Sequence, residues 1–257
     1  MHSIEHVSVA TDLQMNDDFM QFRFRRINQH LIDSLVDPGL YFAKTDSLND
    51  PFDCRIDLKQ SFARAASSTS GDRKKWLSRF LDTPSFFENW KAVFDSFGVC
   101  CFSSVTDETL LWSHYADNHK GVCLAYRLPT AFLLDPLLRL TAGVAVDYKS
   151  EPLTEWLKNG SFDMEMDSFI KAVVLICLRT KSPAWAYEKE ARIIRSGHGV
   201  YKIRGDFLTQ VCFGLHTSQA DIDLIIKLAR DYCGCTRFAR MTRDGSDFGF
   251  TMKRYGT

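Results

Sequence analysis

The sequence predicts a single α+β domain, and three observations support that class. Strand-like stretches are scattered among helical ones instead of alternating strictly with them, which argues against a doubly wound parallel sheet. No repeat, low-complexity tract or linker long enough to separate two folds interrupts the 257 residues. The apolar fraction is 45%, with 20 Phe, enough to fill a core and to exclude a globally disordered chain.

The elements follow in order. Residues 1–18 are polar and acidic-leaning and read as a flexible lead-in, leaving 19–257 for the domain. Over 20–26, Phe22, Arg23, Phe24 and Arg25 alternate apolar and basic, as in a strand with one wet face. Ile27, Leu31, Ile32 and Leu35 have helical spacing, so 28–36 is a helix stopped by Pro38 and Gly39. A short strand at 40–43 leads into a loop at 45–53 rich in Asp, Asn, Ser and Pro. A helical insertion occupies about 56–97, broken at 67–71 and at Thr83-Pro84; its stripe of Phe86, Phe87, Trp90, Phe94 and Phe97 reads as core.

Strands are predicted at 98–103, 121–127, 141–148, 190–195 and 209–214, and helices at 106–115, 129–134 and 163–179. The helix at 106–115 opens on a cap-like Thr-Asp-Glu. The clearest helix is 218–233, with Ser218 at its N-cap and Gly234 just past its end. Residues 236–241 and 248–253 form a closing hairpin through Asp244 and Gly245.

Composition narrows the function. Lys plus Arg and Asp plus Glu number 32 each, so the chain lacks the basic surplus of a general nucleic-acid binder, although a local basic groove remains compatible. The eight Cys form no CxxC pair and sit mostly in apolar runs, the pattern of buried free thiols in a reducing compartment. No basic start followed by an apolar stretch marks a signal peptide, and the longest apolar run, 172–178, cannot span a bilayer. A cytoplasmic protein without a membrane partner is expected. The dinucleotide, P-loop, nucleophile-elbow and zinc-protease motifs are absent from the sequence, and no metal is predicted.

Three motifs concentrate polar chemistry. Leu48-Asn49-Asp50-Pro51-Phe52-Asp53 can place carboxamide and carboxylate groups in a cleft, and it equally suits an Asx turn. Residues 112–121 bring ring, hydroxyl, imidazole, phenol and ammonium groups together, the mixture a nucleotide-type ligand needs. There Trp112, Tyr115 and Ala116 share one helical face and His114 and Asn118 another; the bland alternative puts the aromatics in the core and the histidines in solvent. His114 and His119 are five apart, so they miss the four-residue spacing of a helical zinc pair. In Trp185-Ala186-Tyr187-Glu188-Lys189-Glu190-Ala191-Arg192, a strand puts Glu190 and Arg192 on one face. A carboxylate held ionised beside Arg can stabilise a cationic sugar transition state; the alternative is a surface ion pair of little consequence.

With these motifs the chain resembles a bacterial family known as domain of unknown function family 2971. The resemblance covers about 20–215 and rests on Phe22 to Arg25, Leu48 to Asp53, Cys101 to Ser103 with Trp112 to Gly121, and Trp185 to Arg192. Leu48 stands where that pattern has Phe, and Phe22 and Phe24 where it has Tyr. More loosely, the opening strand and helix, Pro38-Gly39 and Leu40-Tyr41-Phe42 look like the start of DNA-targeting ADP-ribosyltransferase toxins.

That second resemblance implies a mixed, mostly antiparallel split sheet with NAD as substrate across it. It implies Glu190 beneath the ribose, Tyr115 and His114 beside the reacting sugar, and Trp112 and Ser113 packing the cofactor. Arg25, Asn49 and Asp50 would hold phosphate or ribose, and Tyr187 and Arg192 would keep the acid oriented; Glu188 competes with Glu190 for the acidic role. Glu190→Gln is expected to stop turnover and leave the fold intact. The acceptor would be nucleic acid or protein, in a toxin or phage-defence effector with a cognate antitoxin or defence partner. Two other readings stand beside it: a nucleotide-sensing module without catalysis, and a nucleotide or phosphodiester hydrolase using His114 with Asp117 or Glu190.

Overall fold

A computed structural model describes residues 10–11, 20–161, 163–245 and 249–256. Apart from 10–11, the lead-in lies outside the described residues, as does the hairpin turn at 246–248. Strands β1 (Ala10–Thr11) and β2 (Met20–Arg25) come first. Helix α1 (Gln29–Val36) starts where the Asn28 side chain accepts from the Leu31 N–H, and it buries Leu31 and Leu35. β3 (Gly39–Lys44) and a 3-10 turn at Thr45–Ser47 lead into the Asn49 loop.

Helices α2 (Leu58–Ser67), α3 (Gly71–Leu81), α4 (Ser85–Glu88) and α5 (Trp90–Asp95) follow. They gather the aromatic stripe around Phe62, which meets Phe80, Phe86, Phe87 and Phe169 edge-on, with ring centroids 5.4–6.1 Å apart. β4 (Phe97–Ser103) returns the chain to the sheet, and α6 (Thr109–Tyr115) is capped by Glu108 instead of Thr106. Then come β5 (Val122–Arg127), α7 (Thr130–Leu133), β6 (Leu140–Ala145), β7 (Asp147–Tyr148) and α8 (Pro152–Asn159). α9 (Met166–Arg179) runs into β8 (Thr180–Lys181), a 3-10 turn at Pro183–Glu188 and β9 (Glu190–Ser196). β10 (Gly199–Lys202), β11 (Leu208–Phe213), α10 (Gln219–Cys233), β12 (Phe238–Arg243) and β13 (Phe250–Arg254) complete the chain.

Among the described residues, eleven strands form one sheet ordered β1-β6-β9-β4-β2-β5-β11-β12-β13, with β3 joined to β4 and β10 to β3. Only β1–β6 and β11–β12 pair parallel in it, so the sheet is mostly antiparallel and the α+β class holds. The expected β12–β13 hairpin pairing is present, from Ala239↔Arg254 to Arg243↔Phe250.

The sheet is split along one edge of β4. Near its start β4 pairs with β3 (Ala43↔Val99, Lys44↔Gly98), and at its end it meets β2 once (Phe22↔Ser103). Between these points no described ladder pair joins Cys100, Cys101 or Phe102 to either strand. On its other edge β4 pairs continuously with β9, from Phe97↔Ser196 to Ser103↔Glu190.

Alternation then distributes the apolar side chains. Ile193, Leu124, Val211, Phe213 and Phe238 share one core with α1 and α10. On the opposite face Ile194, Ala142 and Val144 pack under α2, α3, α8 and α9, whereas Phe24, Cys123, Cys212 and Ala239 pack under α6. The boundary between those two cores runs along the split. The eight cysteines are free, and all but Cys101 are buried.

Candidate functional site

The Asn49 loop turns sharply inward. Asp50 Oδ1 accepts from the Phe52 N–H at 2.9 Å, and the Asp53 N–H donates to the Asp50 carbonyl at 3.1 Å. Asp50 is therefore the turn-former its Asx pattern allowed; its expected ligand-holding role meets a side-chain oxygen already used by the backbone. The turn and a left-handed Cys54 (φ 58°) aim the Asp53 carboxylate into the protein. Asn49 stays at the surface, and its Nδ2 donates to the Tyr115 hydroxyl at 2.8 Å.

Asp53 meets Arg192, which is fully buried on β9. The Arg192 Nη1 and Nη2 donate to the two Asp53 oxygens at 3.0 and 2.6 Å, and Nε and Nη2 donate to Glu190 at 2.7 and 3.0 Å. Nη1 also reaches the Leu178 carbonyl at 2.8 Å. With its donors spent inside the protein, Arg192 holds Glu190 in place. A guanidinium suits this place because its fork matches two carboxylates at once.

A second cation, unforeseen from sequence, completes the cluster. The buried Lys181 Nζ lies 2.5 Å from Glu188 Oε2, 3.2 Å from Glu190 Oε2 and 3.7 Å from Asp53 Oδ2, over the Trp185 ring. Lys189 adopts a left-handed conformation (φ 43°), which lets Glu188 and Glu190 both reach this ammonium from either side of it. The Glu190 N–H is fixed by the Tyr148 hydroxyl at 2.8 Å, and the Glu188 carbonyl by the Ser103 hydroxyl at 2.7 Å.

Three carboxylates against two cations leave one formal negative charge, and the two glutamates respond differently. Burial works against the Glu190 carboxylate, but Arg192 and Lys181 outweigh it and hold the group down at about 2. Burial pushes Glu188 up, against the pull of Lys181 and the Tyr115 hydrogen bond. A carboxylate offers roughly four acceptor positions. Glu190 fills them with Arg192 twice, Lys181 and the Cys101 thiol. Glu188 accepts from Lys181 and, at 2.5 Å, from the Tyr115 hydroxyl, and so retains room for a ligand hydroxyl.

Helix α6 delivers Tyr115 to this point, and burial followed by Glu188 pushes the phenol well up from its ordinary value. The remaining residues of the motif do other work. Trp112 is fully buried, edge-on to Phe24 at 5.1 Å, with its indole N–H on the Thr106 carbonyl, so its expected stacking on a cofactor is corrected to a core role. The Ser113 hydroxyl lies 3.2 Å from the Thr109 carbonyl and from His119 Nε2, turned to its own helix and loop. His114 is exposed and does not line the cavity, and its ring centroid lies 6.2 Å from that of Tyr187. Asp117, Asn118 and His119 are all left-handed, which folds the loop back onto β2. Gly121 is required there: a Cβ would lie 2.3 Å from the Arg25 carbonyl.

The split in the sheet holds a cavity of about 230 Å³. Arg25, Asn49, Tyr115, Lys181, Glu188 and Glu190 line it, with Phe22, Phe24 and Phe102 as apolar walls. Three segments distant in sequence thus converge as expected. His114, Trp112, Ser113, Tyr187, Asp50 and Arg192 are not among the lining residues. Arg23 and Arg25 also border a larger groove, of about 790 Å³, between β2, α1 and the β3–β10 pair. Among the described residues, no group of three or more His, Cys, Asp or Glu is placed to hold a metal ion. Among the same residues, no helix is long and apolar enough to cross a membrane.

Fold and site together define an α+β protein whose split sheet holds a small acidic cleft beside two arginines. Residues 111–193 match the model of a family described as "Protein of unknown function (DUF2971)", which supports the resemblance read from the motifs. The matched stretch contains Tyr115, Lys181, Glu188, Glu190 and Arg192; Arg25, Asn49 and Asp53 lie before it. No curated protein and no solved structure matches the chain.

Proposed function

We propose that this cleft binds NAD and transfers its ADP-ribose, with Glu188 rather than Glu190 as the acid beneath the sugar. The observation that carries the reading is the Asn49–Tyr115–Glu188 chain facing a cavity shared with Arg25. About 230 Å³ is less than a drug-sized ligand occupies, so the cleft suits one end of a dinucleotide, with its phosphates toward Arg25. Glu188 would accept the ribose 2′-hydroxyl. The bond from C1′ to nicotinamide breaks with its electron pair leaving on nicotinamide, and the acidic cluster stabilises the oxocarbenium-like sugar. The acceptor nucleophile then bonds to C1′ and gives its proton to solvent. Tyr115 and Asn49 fix the rotamer of Glu188, and Arg192 and Lys181 brace the cluster from behind.

Glu188→Gln is expected to cut nicotinamide release at least about a thousandfold. The variant leaves Asp53 and Glu190 against Lys181 and Arg192, a balanced set of two and two, so it should keep its fold and still bind NAD. Undiminished release by a folded Glu188→Gln protein would refute the assignment.

One observation favours the nucleotide-sensor reading instead. Lys181 already pairs with Glu188 at 2.5 Å, which suits a rigid binding site more than a carboxylate poised for reaction. Saturable NAD binding by the unaltered protein without nicotinamide release would select that reading.

A further inference from the structure

The larger groove contains two cations that the protein itself leaves unanswered. Neither Arg23 nor Arg25 has an ion pair or hydrogen bond with any described residue; the Arg23 guanidinium lies 5.5 Å from the Phe102 ring centroid. They are neighbours on one face of β2, both partly buried. Partial burial, and then the neighbouring Arg23, lower Arg25 to about 10. Unpartnered buried charge is costly in a folded chain unless something answers it.

The surroundings say what kind of answer fits. Two carboxylates also line the groove: Asp33 accepts from Gln29 at 2.7 Å, and Asp37 pairs with Lys202. Arg23, Arg25 and Lys202 against Asp33 and Asp37 leave the lining with one net positive charge, concentrated at the paired arginines. Opposite the arginines, the Tyr41 ring is 50% exposed and Val200 59% exposed, so a flat apolar surface stands open beside the cationic floor. The His30 imidazole and the Tyr126 phenol complete the walls. A volume of about 790 Å³ is ample for a nucleoside with its phosphate.

We infer that the groove between β2, α1 and the β3–β10 pair is a binding site for a nucleoside phosphate. Its phosphate sits between the guanidiniums of Arg23 and Arg25, and its base lies on Tyr41. This rests on the geometry of the groove and not on NAD chemistry. A free mononucleotide and the second half of a dinucleotide present the same chemistry there.

AMP titrated into the full chain by calorimetry tests it. Saturable binding is expected, weakened at least tenfold in Arg25→Ala and at least fivefold in Tyr41→Ala. Tyr41 is half exposed, so its variant keeps the fold even if an arginine variant does not. Glu188→Gln should bind AMP unchanged, which separates failure of the groove from failure of the cleft. Two results sustain the site and identify its occupant. If Tyr41→Ala weakens AMP and NAD alike, one dinucleotide spans cleft and groove; if it weakens AMP alone, the groove serves a separate nucleotide. No saturable AMP binding at millimolar concentration, or AMP binding indifferent to both Arg25 and Tyr41, overturns the inference. Inorganic phosphate competing as well as AMP, with Tyr41→Ala without effect, reduces the site to a simple anion hole and overturns it too.

Discussion

Arg192 is the residue on which the acidic cluster depends. It has no solvent exposure, and four of its hydrogen bonds end on carboxylates. Removing one partner of a buried ion set leaves charge uncompensated, at a cost of about 3–5 kcal/mol. Arg192→Met should therefore lower stability by about that much in urea denaturation, far more than the loss of a surface pair. The same reasoning corrects the expectation that Glu190→Gln is structurally silent, since Glu190 is bonded to both cations.

Acid acts on the same point. The Glu190 carboxyl, held at about 2 against an ordinary 4.5, contributes stability that is complete above 4.5 and is lost as pH falls toward about 2. Urea midpoints of the unaltered protein should drop steeply over that window, and Glu190→Gln should flatten the drop. An equal drop in both proteins would put the acid-sensitive group elsewhere. From sequence alone, the Glu190–Arg192 pairing was legible because strand alternation puts them on one face. Lys181 was not, because a lysine before Ser182-Pro183 has the pattern of a helix end and burial of its ammonium leaves no periodic trace. The proposal of Glu188 over Glu190 rests on hydrogen-bond geometry, which the sequence does not carry.

At the scale of elements, the sequence was clearest where end signals are strong. Helix α10 begins at Ser218, whose Oγ accepts from the Asp221 N–H, and ends at a left-handed Gly234. The alternation of β2 and β9 was equally plain. What escaped were short pieces: α8, β8, β10 and the 3-10 turn before β9. β10 has four residues, opening on Gly199 just behind Gly197 and His198, where turn signals dominate, and its pairing with β3 is a tertiary event.

The turn into β9 holds the strain in this region. Lys189 sits at φ 43°, a conformation costing a non-glycine residue about 1–2 kcal/mol. Lys189→Gly should relieve part of that and stabilise the protein by up to about 1 kcal/mol, whereas Lys189→Val should destabilise it by more than 1 kcal/mol. Chemical denaturation of the pair decides the point. Equal stability would mean that the backbone there is not strained. The side chain itself is exposed, so no lost contact confuses the comparison.

For the whole molecule, the fold class was readable from the scatter of strands, but the strand order was not. Which strands neighbour one another depends on long-range pairing, and the chain offers no local sign that β2 lies between β4 and β5. The helical stretch was visible; its consequence, a separate core on one half of the sheet, was not.

That arrangement makes the protein two plates sharing a single lining. The β6–β9–β4 side and the β2–β5–β11–β12 side meet through Phe22↔Ser103, and the α1–α10 core runs beneath both. The acidic residues thus stand mostly on one plate and the paired arginines on the other, with the Tyr115–Glu188 hydrogen bond as a second tie between the plates. A guest that touched both plates would act as a clasp across the join, and its capture would be expected to raise the melting temperature of the whole body rather than of one half.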